Sequence, residues 1–251
     1  MTAAWRRVVF GLGLLLLLAP VVSVARHMPA FGDHPLPYGD AINTGAPRDR
    51  HVSNAVSAVN FDYRGFDTLG EEFMLVTAVT GAVVLLRGSR GEGVTARPGT
   101  LPDRPIPERS DAVWLIGRLI GPFAMVFGLY VVLHATVTPG GGFQGGVIIT
   151  SGLLLLFLND GYRSWRRIIR SPMLDALEGG GALLFALAGL APMFLGAAYL
   201  QNILPFGSFR DMLSGGLMPV VNAGVAFAVL AGFSLVFMEF LEETRQPDEQ
   251  E

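Results

Sequence analysis

The sequence predicts an all-α fold, a polytopic membrane protein with six transmembrane helices in a 2+4 arrangement. Three observations predict it. The 251 residues are 51% hydrophobic and only 16% charged, against about 25% charged in soluble domains. The charges collect in short blocks between long apolar runs, which is how a bilayer sorts a chain. A Gly-, Pro- and Arg-rich stretch over residues 88–110 then separates two of the runs from the other four.

The first run, Val8 to Val24, follows Arg6 and Arg7. Ser23-Val24-Ala25 also resembles a small-residue cleavage site, but the run exceeds the roughly 7–15 residues of a signal core, so a retained anchor is expected. A polar, Pro-containing stretch from Arg26 to Arg64 precedes the second span, which ends at Leu86. The third span is expected over Val113 to Thr136, the fourth over Phe143 to Leu158, the fifth over Leu174 to Leu200 and the sixth over Leu217 to Leu241. The domain reading is a two-span module, residues 1–87, the linker 88–110 and a four-span module, residues 111–251. Nothing repeats between the modules.

Orientation follows from the basic residues, every one of which is Arg. With the N-terminus inside, the inner segments hold Arg6, Arg7, Arg87, Arg90, Arg97, Arg104, Arg109, Arg163, Arg166, Arg167, Arg170 and Arg245. The outer segments hold only Arg26, Arg48, Arg50, Arg64 and Arg210. The positive-inside bias predicts a multi-pass protein of the cell membrane with both termini cytoplasmic.

Several function classes are excluded. A net charge of -3 gives no footprint for nucleic acid. The absence of Cys removes thiolate metal sites and cysteine nucleophiles. His27, His34, His51 and His134 do not recur at metal-ligand spacing, and no Ser/His/Asp set is suggested locally. No catalytic residue, metal site or cofactor is expected.

The second span carries acids. Its purely apolar part, Phe73 to Leu86, has fourteen residues and covers about 21 Å of a roughly 30 Å hydrocarbon core. The helix must therefore begin within Phe66 to Glu72, which draws Glu71, Glu72 and Asp67 to the outer membrane edge. Asp67 and Glu71 are four apart and share a face. For Asp67 the competing reading is a first-turn acid complementing the helix dipole. For Glu71 the length argument favours an ion-pathway role. Glu72 points about 100° away and is expected as an interfacial charge. Arg64 is the expected charge partner of Asp67.

Pro139-Gly140-Gly141-Gly142-Phe143-Gln144-Gly145-Gly146 joins the third and fourth spans. It is no phosphate loop, because no Lys follows and its neighbours are apolar spans. The fourth span offers sixteen residues from Phe143, about 24 Å, so the turn is expected to dip into the membrane, where irregular backbone survives only under cover of protein or a water-filled cavity. Close helix packing by small residues and a direct ion contact are both open here. His134, near the outer end of the third span, is either a hydrogen-bonded structural residue or a proton carrier. Glu178 enters the fifth span and could face the bundle interior; Glu239 is expected at the inner interface. Arg163, Arg166, Arg167 and Arg170 form a basic inner collar that suits anionic headgroups.

Two stretches resemble a known family. Asn54 to Glu71, with Asp62-Tyr63-Arg64-Gly65-Phe66-Asp67-Thr68-Leu69-Gly70-Glu71, is similar to the signature of the E-type subunit of membrane-bound hydrogenases and of the C-terminal end of the large A-type component of Mrp antiporters. Trp114 to Leu158, centred on the Gly-rich turn, resembles the B-type component of Mrp (Mnh) Na⁺/H⁺ antiporters. Tyr63 stands where the family usually has Phe, Ala135 where it often has Gly, and fusion of the two modules is less usual. The resemblance implies a non-enzymatic subunit of a multi-subunit Na⁺/proton antiporter, with the other subunits and the bilayer as partners. It also implies that Glu71 is the cation-path group. The alternative it leaves is a membrane-arm subunit of an ion-pumping hydrogenase or complex-I-related oxidoreductase.

Overall fold

The computed structural model describes residues 3–28, 37–89, 111–168 and 171–243. Among them, six helices are long and apolar enough to cross a membrane, and the chain is a multi-pass membrane protein. The linker 90–110, with Arg90, Arg97, Arg104 and Arg109, lies outside the described residues, as do His34, Arg170 and Arg245.

Residues Met1–Ala41 and Ile42–Glu251 form two compact units. The first contains α1, Ala3–His27, a single helix through the expected first span. Its apolar side chains are exposed all round, the pattern of a helix that faces lipid or partner helices. The chain then forms α2, Pro37–Arg50, the short α3, Ala55–Ala58, and a π-helical turn, Val59–Tyr63. Helix α4, Gly65–Ser89, begins before the apolar stretch, as the length of that stretch requires.

The remaining spans are α5, Asp111–Leu133, α6, Gly142–Ile168, α7, Ser171–Leu190, and α8, Met218–Glu243. Helix α7 stops ten residues short of the expected Leu200 end, and the span itself ends at Leu195. Pro192 lacks the N–H an α-helix needs and restrains the residue before it, so the helix tightens into a 3₁₀ turn, Ala191–Leu195, closed by Gly196 at φ 76°. Residues 196–217 form a loop, held where Asn202 accepts from the Leu217 N–H (2.9 Å) and donates to the Gly215 carbonyl (2.8 Å).

Helix α8 is the hub. Its Met218, Val221, Val225 and Val229 pack with Ala58, Phe61, Leu69 and Phe185. One helical stretch further on, Ala231, Leu235 and Met238 pack with Val79 and Val83 of α4, Leu153 of α6 and Leu174 of α7. In lipid no hydrophobic gradient drives such contacts, so close packing carries them. Helices α7 and α8 accordingly cross at Gly181 and Gly224, where a methyl on Gly224 would stand 2.8 Å from the Gly181 carbonyl. The 2+4 grouping is not confirmed by this packing, because α4 lies against α7 and α8.

Candidate ion-pathway site

The site is built by three segments, the first two held by hydrogen bonds between side chains and backbone. Asn54 caps α3, its Oδ1 accepting from the N–H groups of Val56 (3.1 Å) and Ser57 (3.4 Å), the role a short amide side chain serves at a helix start. Its Nδ2 donates to the carbonyls of Ala135 (2.7 Å) and Thr138 (2.9 Å). Ser57 Oγ donates to the Ala135 carbonyl (2.6 Å) and Ser53 Oγ to that of Val137 (2.6 Å). The first motif is thereby clamped onto residues 135–138, which lead into the Gly-rich turn. Sequence reasoning missed this clamp; the readable signal was an Asn before small residues that open a helix.

The Gly-rich turn is the second segment. Gly140 has φ 139°, a conformation that side chains rarely adopt. Gly142 opens α6 directly against α8: a Cβ there would meet the Asn222 carbonyl and come within 2.8 Å of the Ala226 nitrogen. Asn222, buried on α8, accepts from the Gly142 N–H (2.6 Å) and donates to the Val132 carbonyl (3.0 Å). One amide side chain thus satisfies an orphan donor at the start of α6 and a carbonyl at the end of α5. Gly145 and Gly146 pack on α5 and α8, so close packing is observed for these two positions and for Gly142.

The third segment is the first two turns of α4. Arg64 pairs with Asp67, its Nε donating to Oδ2 at 2.6 Å, and both side chains are exposed. Thr68, Leu69, Glu72, Val79 and Val83 are buried, while Glu71 is exposed. The expectation of Glu72 as an interfacial charge is corrected: its side chain is 2% exposed. The spacing 68, 72, 79, 83 follows one helical stripe, and that stripe packs on α8. The apolar alternation was legible; which side of it the bundle would cover was not.

These segments enclose a cavity of about 250 Å³. Glu71, Glu72 and Thr68 line it from α4, Ser57, Asn60 and Phe61 from the first motif, and Gly140, Gly141, Phe143 and Gln144 from the turn. Pro139 is exposed beside it. The cavity offers carboxylate, hydroxyl, amide and carbonyl oxygens, the hard donors a small cation or a proton carrier uses. Asp67 and Arg64 lie outside it.

His134 is also elsewhere. Its Nδ1 lies 3.0 Å from the Tyr130 carbonyl and its ring stacks on Tyr130 with centroids 4.0 Å apart. Glu178 is buried inside the spans. A second pocket, about 320 Å³, lies between Arg50, Asp62 and Tyr63 and the 198–202 loop. There Asp62 accepts from Arg50 (2.9 Å) and Asn202 (2.8 Å), and burial pushes the Tyr63 and Tyr199 phenols up from their ordinary range.

Comparison with known proteins matches residues 113–235 to a family described as "Domain related to MnhB subunit of Na+/H+ antiporter". Residues 113–235 belong to the MnhB-related family. This MnhB-related chain is 32% identical over 203 residues to an uncharacterized protein of Methanocaldococcus jannaschii, covering 73% of this chain and 75% of that one. It is 26% identical over 220 residues to a Rhizobium meliloti protein described as the probable A/B component of a K⁺/H⁺ antiporter, covering 79% of this chain but only 22% of that protein. Among solved structures it superposes with TM-score 0.66 and 25% identity on a chain of the archaeal membrane-bound sulfane sulfur reductase, a respiratory membrane complex, covering 94% and 98% of the two chains. Two of these similar proteins are thus named as parts of multi-subunit membrane assemblies.

Proposed function

We propose that this chain is a non-enzymatic subunit of a monovalent cation (Na⁺)/proton antiporter, serving both assembly and the ion pathway. The observation that carries this reading is that its two motifs, 54–72 and 139–146, close around one polar cavity at the edge of the spans. A packing role alone would not require a carboxylate-lined space. Within it, Glu71 stands where a cation arriving from the outer surface first meets a carboxylate. Asp67, paired with Arg64 on the exposed first turn of α4, is a further candidate outside the cavity. His134 and Glu178 are the remaining candidate proton carriers.

The Arg asymmetry supports both termini on the cytoplasmic side, which sets the cavity toward the outside. The family match to residues 113–235 supports reading 111–251 as a B-type module, with 1–87 as an A- or E-type module joined through 88–110. The test is expression of the complete assembly in vesicles from a host lacking its own antiporters. Na⁺ addition should release a pre-formed pH gradient, and omission of this chain should abolish the release. A complex that assembles without this chain and exchanges at the full rate would refute the reading.

The near-complete superposition on a chain of an archaeal respiratory complex favours a second reading, a membrane-arm subunit of an ion-pumping oxidoreductase. Purification of the native complex separates the two, by the presence or absence of redox-centre subunits.

A further inference from the structure

Three acids are buried within the spans: Glu72 at 2% exposure, Glu178 at 7% and Glu239 at 1%. Oε1 of Glu72 and Oε1 of Glu178 meet no hydrogen-bond donor. Buried carboxylate oxygens without a partner are expensive, and a proton or a cation is what relieves them.

Their positions form a series. Val79 lies seven residues after Glu72 on the same face of α4, about 10 Å along the axis. Gly232 on α8 faces that level, because a Cβ there would stand 3.2 Å from Val79 Cγ2 and 3.2 Å from Glu178 Oε1. Glu178 therefore sits one step deeper than Glu72. Glu239 lies seven residues after Gly232 on the same face of α8, about 10 Å further on. Both α4 and α8 start at the cavity end, so the line runs from the cavity inward. The charged neighbours are Glu71 at the cavity and Asp175 one turn before Glu178 on α7.

We propose that Glu72, Glu178 and Glu239 form a proton relay from the cavity to the opposite end of α8. The relay rests on the antiporter reading and deepens it. Each step moves one proton from a carboxylic acid to the next carboxylate through water that enters between them, because the levels stand about 10 Å apart; only O–H bonds break and form, and no oxidant or reductant is consumed. Gly232 keeps the middle of the line open by leaving room for the Glu178 carboxylate.

The assembled complex in proteoliposomes tests it. Glu72→Gln, Glu178→Gln and Glu239→Gln should each lower the maximal antiport rate about tenfold or more, with the half-saturating Na⁺ concentration unchanged in the Glu178 and Glu239 variants, whose side chains lie away from the cavity. The Glu72→Gln/Glu178→Gln double variant should be no slower than either single, since both interrupt one path. An apolar carbodiimide, which adds to protonated buried carboxyls, should leave adducts on Glu72 and Glu178 readable by mass spectrometry. Wild-type rates in Glu72→Gln and Glu178→Gln would overturn the relay, as would adducts confined to Glu71. Should Glu178→Gln fail to assemble, Gly232→Ala decides: it keeps every acid and presses a methyl on Glu178, so an unchanged rate overturns the relay. Absence of antiport from the wild-type complex would instead sink the antiporter reading itself.

Discussion

Glu71 and Glu72 are adjacent in sequence, yet one faces out and the other is buried, because successive residues on a helix differ by about 100°. The exposed Glu71 remains at the cavity, where Glu71→Gln should weaken cation-coupled exchange while leaving the amount of assembled complex on native gels unchanged. Were Glu71 only a first-turn acid, the substitution would cost roughly 0.3–1 kcal/mol of helix stability and leave exchange intact. Asn222 predicts a different phenotype. Asn222→Ala removes the acceptor of the Gly142 N–H and the donor to the Val132 carbonyl, two buried groups whose loss should cost about 1–3 kcal/mol each. Thermal denaturation of the purified complex should then begin at a lower temperature, whatever happens to exchange.

At the level of elements, the Gly-rich turn is where α5, α6 and α8 converge. A methyl on Gly142 would collide with the α8 backbone at Asn222 and Ala226, and backbone cannot rotate aside as a side chain can. Gly142→Ala should therefore destabilise the bundle by about 1–3 kcal/mol, measured as reduced assembly, whereas Gly179→Ala, with open space around its Cβ position, should be neutral. The turn was legible in the sequence as a break between spans, from Pro139 and three consecutive Gly. Its partner was not: nothing local announces that Asn222, eighty residues later, caps α6. Likewise the end of α7 was misjudged because residues 191–200 are apolar throughout enough of their length to extend a hydropathy count. Pro192 and Gly196 were the signals that overrule it.

For the whole molecule, topology is testable on a chain that naturally lacks Cys. Single cysteines at Asn43 and Ser208 should react with an impermeant reagent added outside intact cells, and one at Ser164 only after permeabilisation. The reverse pattern would invert the membrane orientation and with it the side from which the cavity opens. Purified alone into vesicles, the chain should carry no Na⁺/H⁺ exchange. Much of its apolar surface, including Phe123, Val126 and Leu119 on α5 and Val84 and Leu85 on α4, is left for lipid and partner subunits.

The sequence by itself determined the six spans, the early start of α4 and the acids near its N-terminal end. Each follows from local quantities: run length against bilayer thickness, and the cost of a charge in hydrocarbon. Only the tertiary structure decided that the two motifs meet around one cavity, that Glu72 rather than its neighbour is buried, and that Glu178 lies beside Gly232. Those facts depend on which face of α4 meets α8. In a bilayer that choice is set by shape at small residues, not by polarity, because lipid tails and the bundle interior are equally apolar. A hydrophobic pattern that reads the same from both sides leaves the facing side to packing.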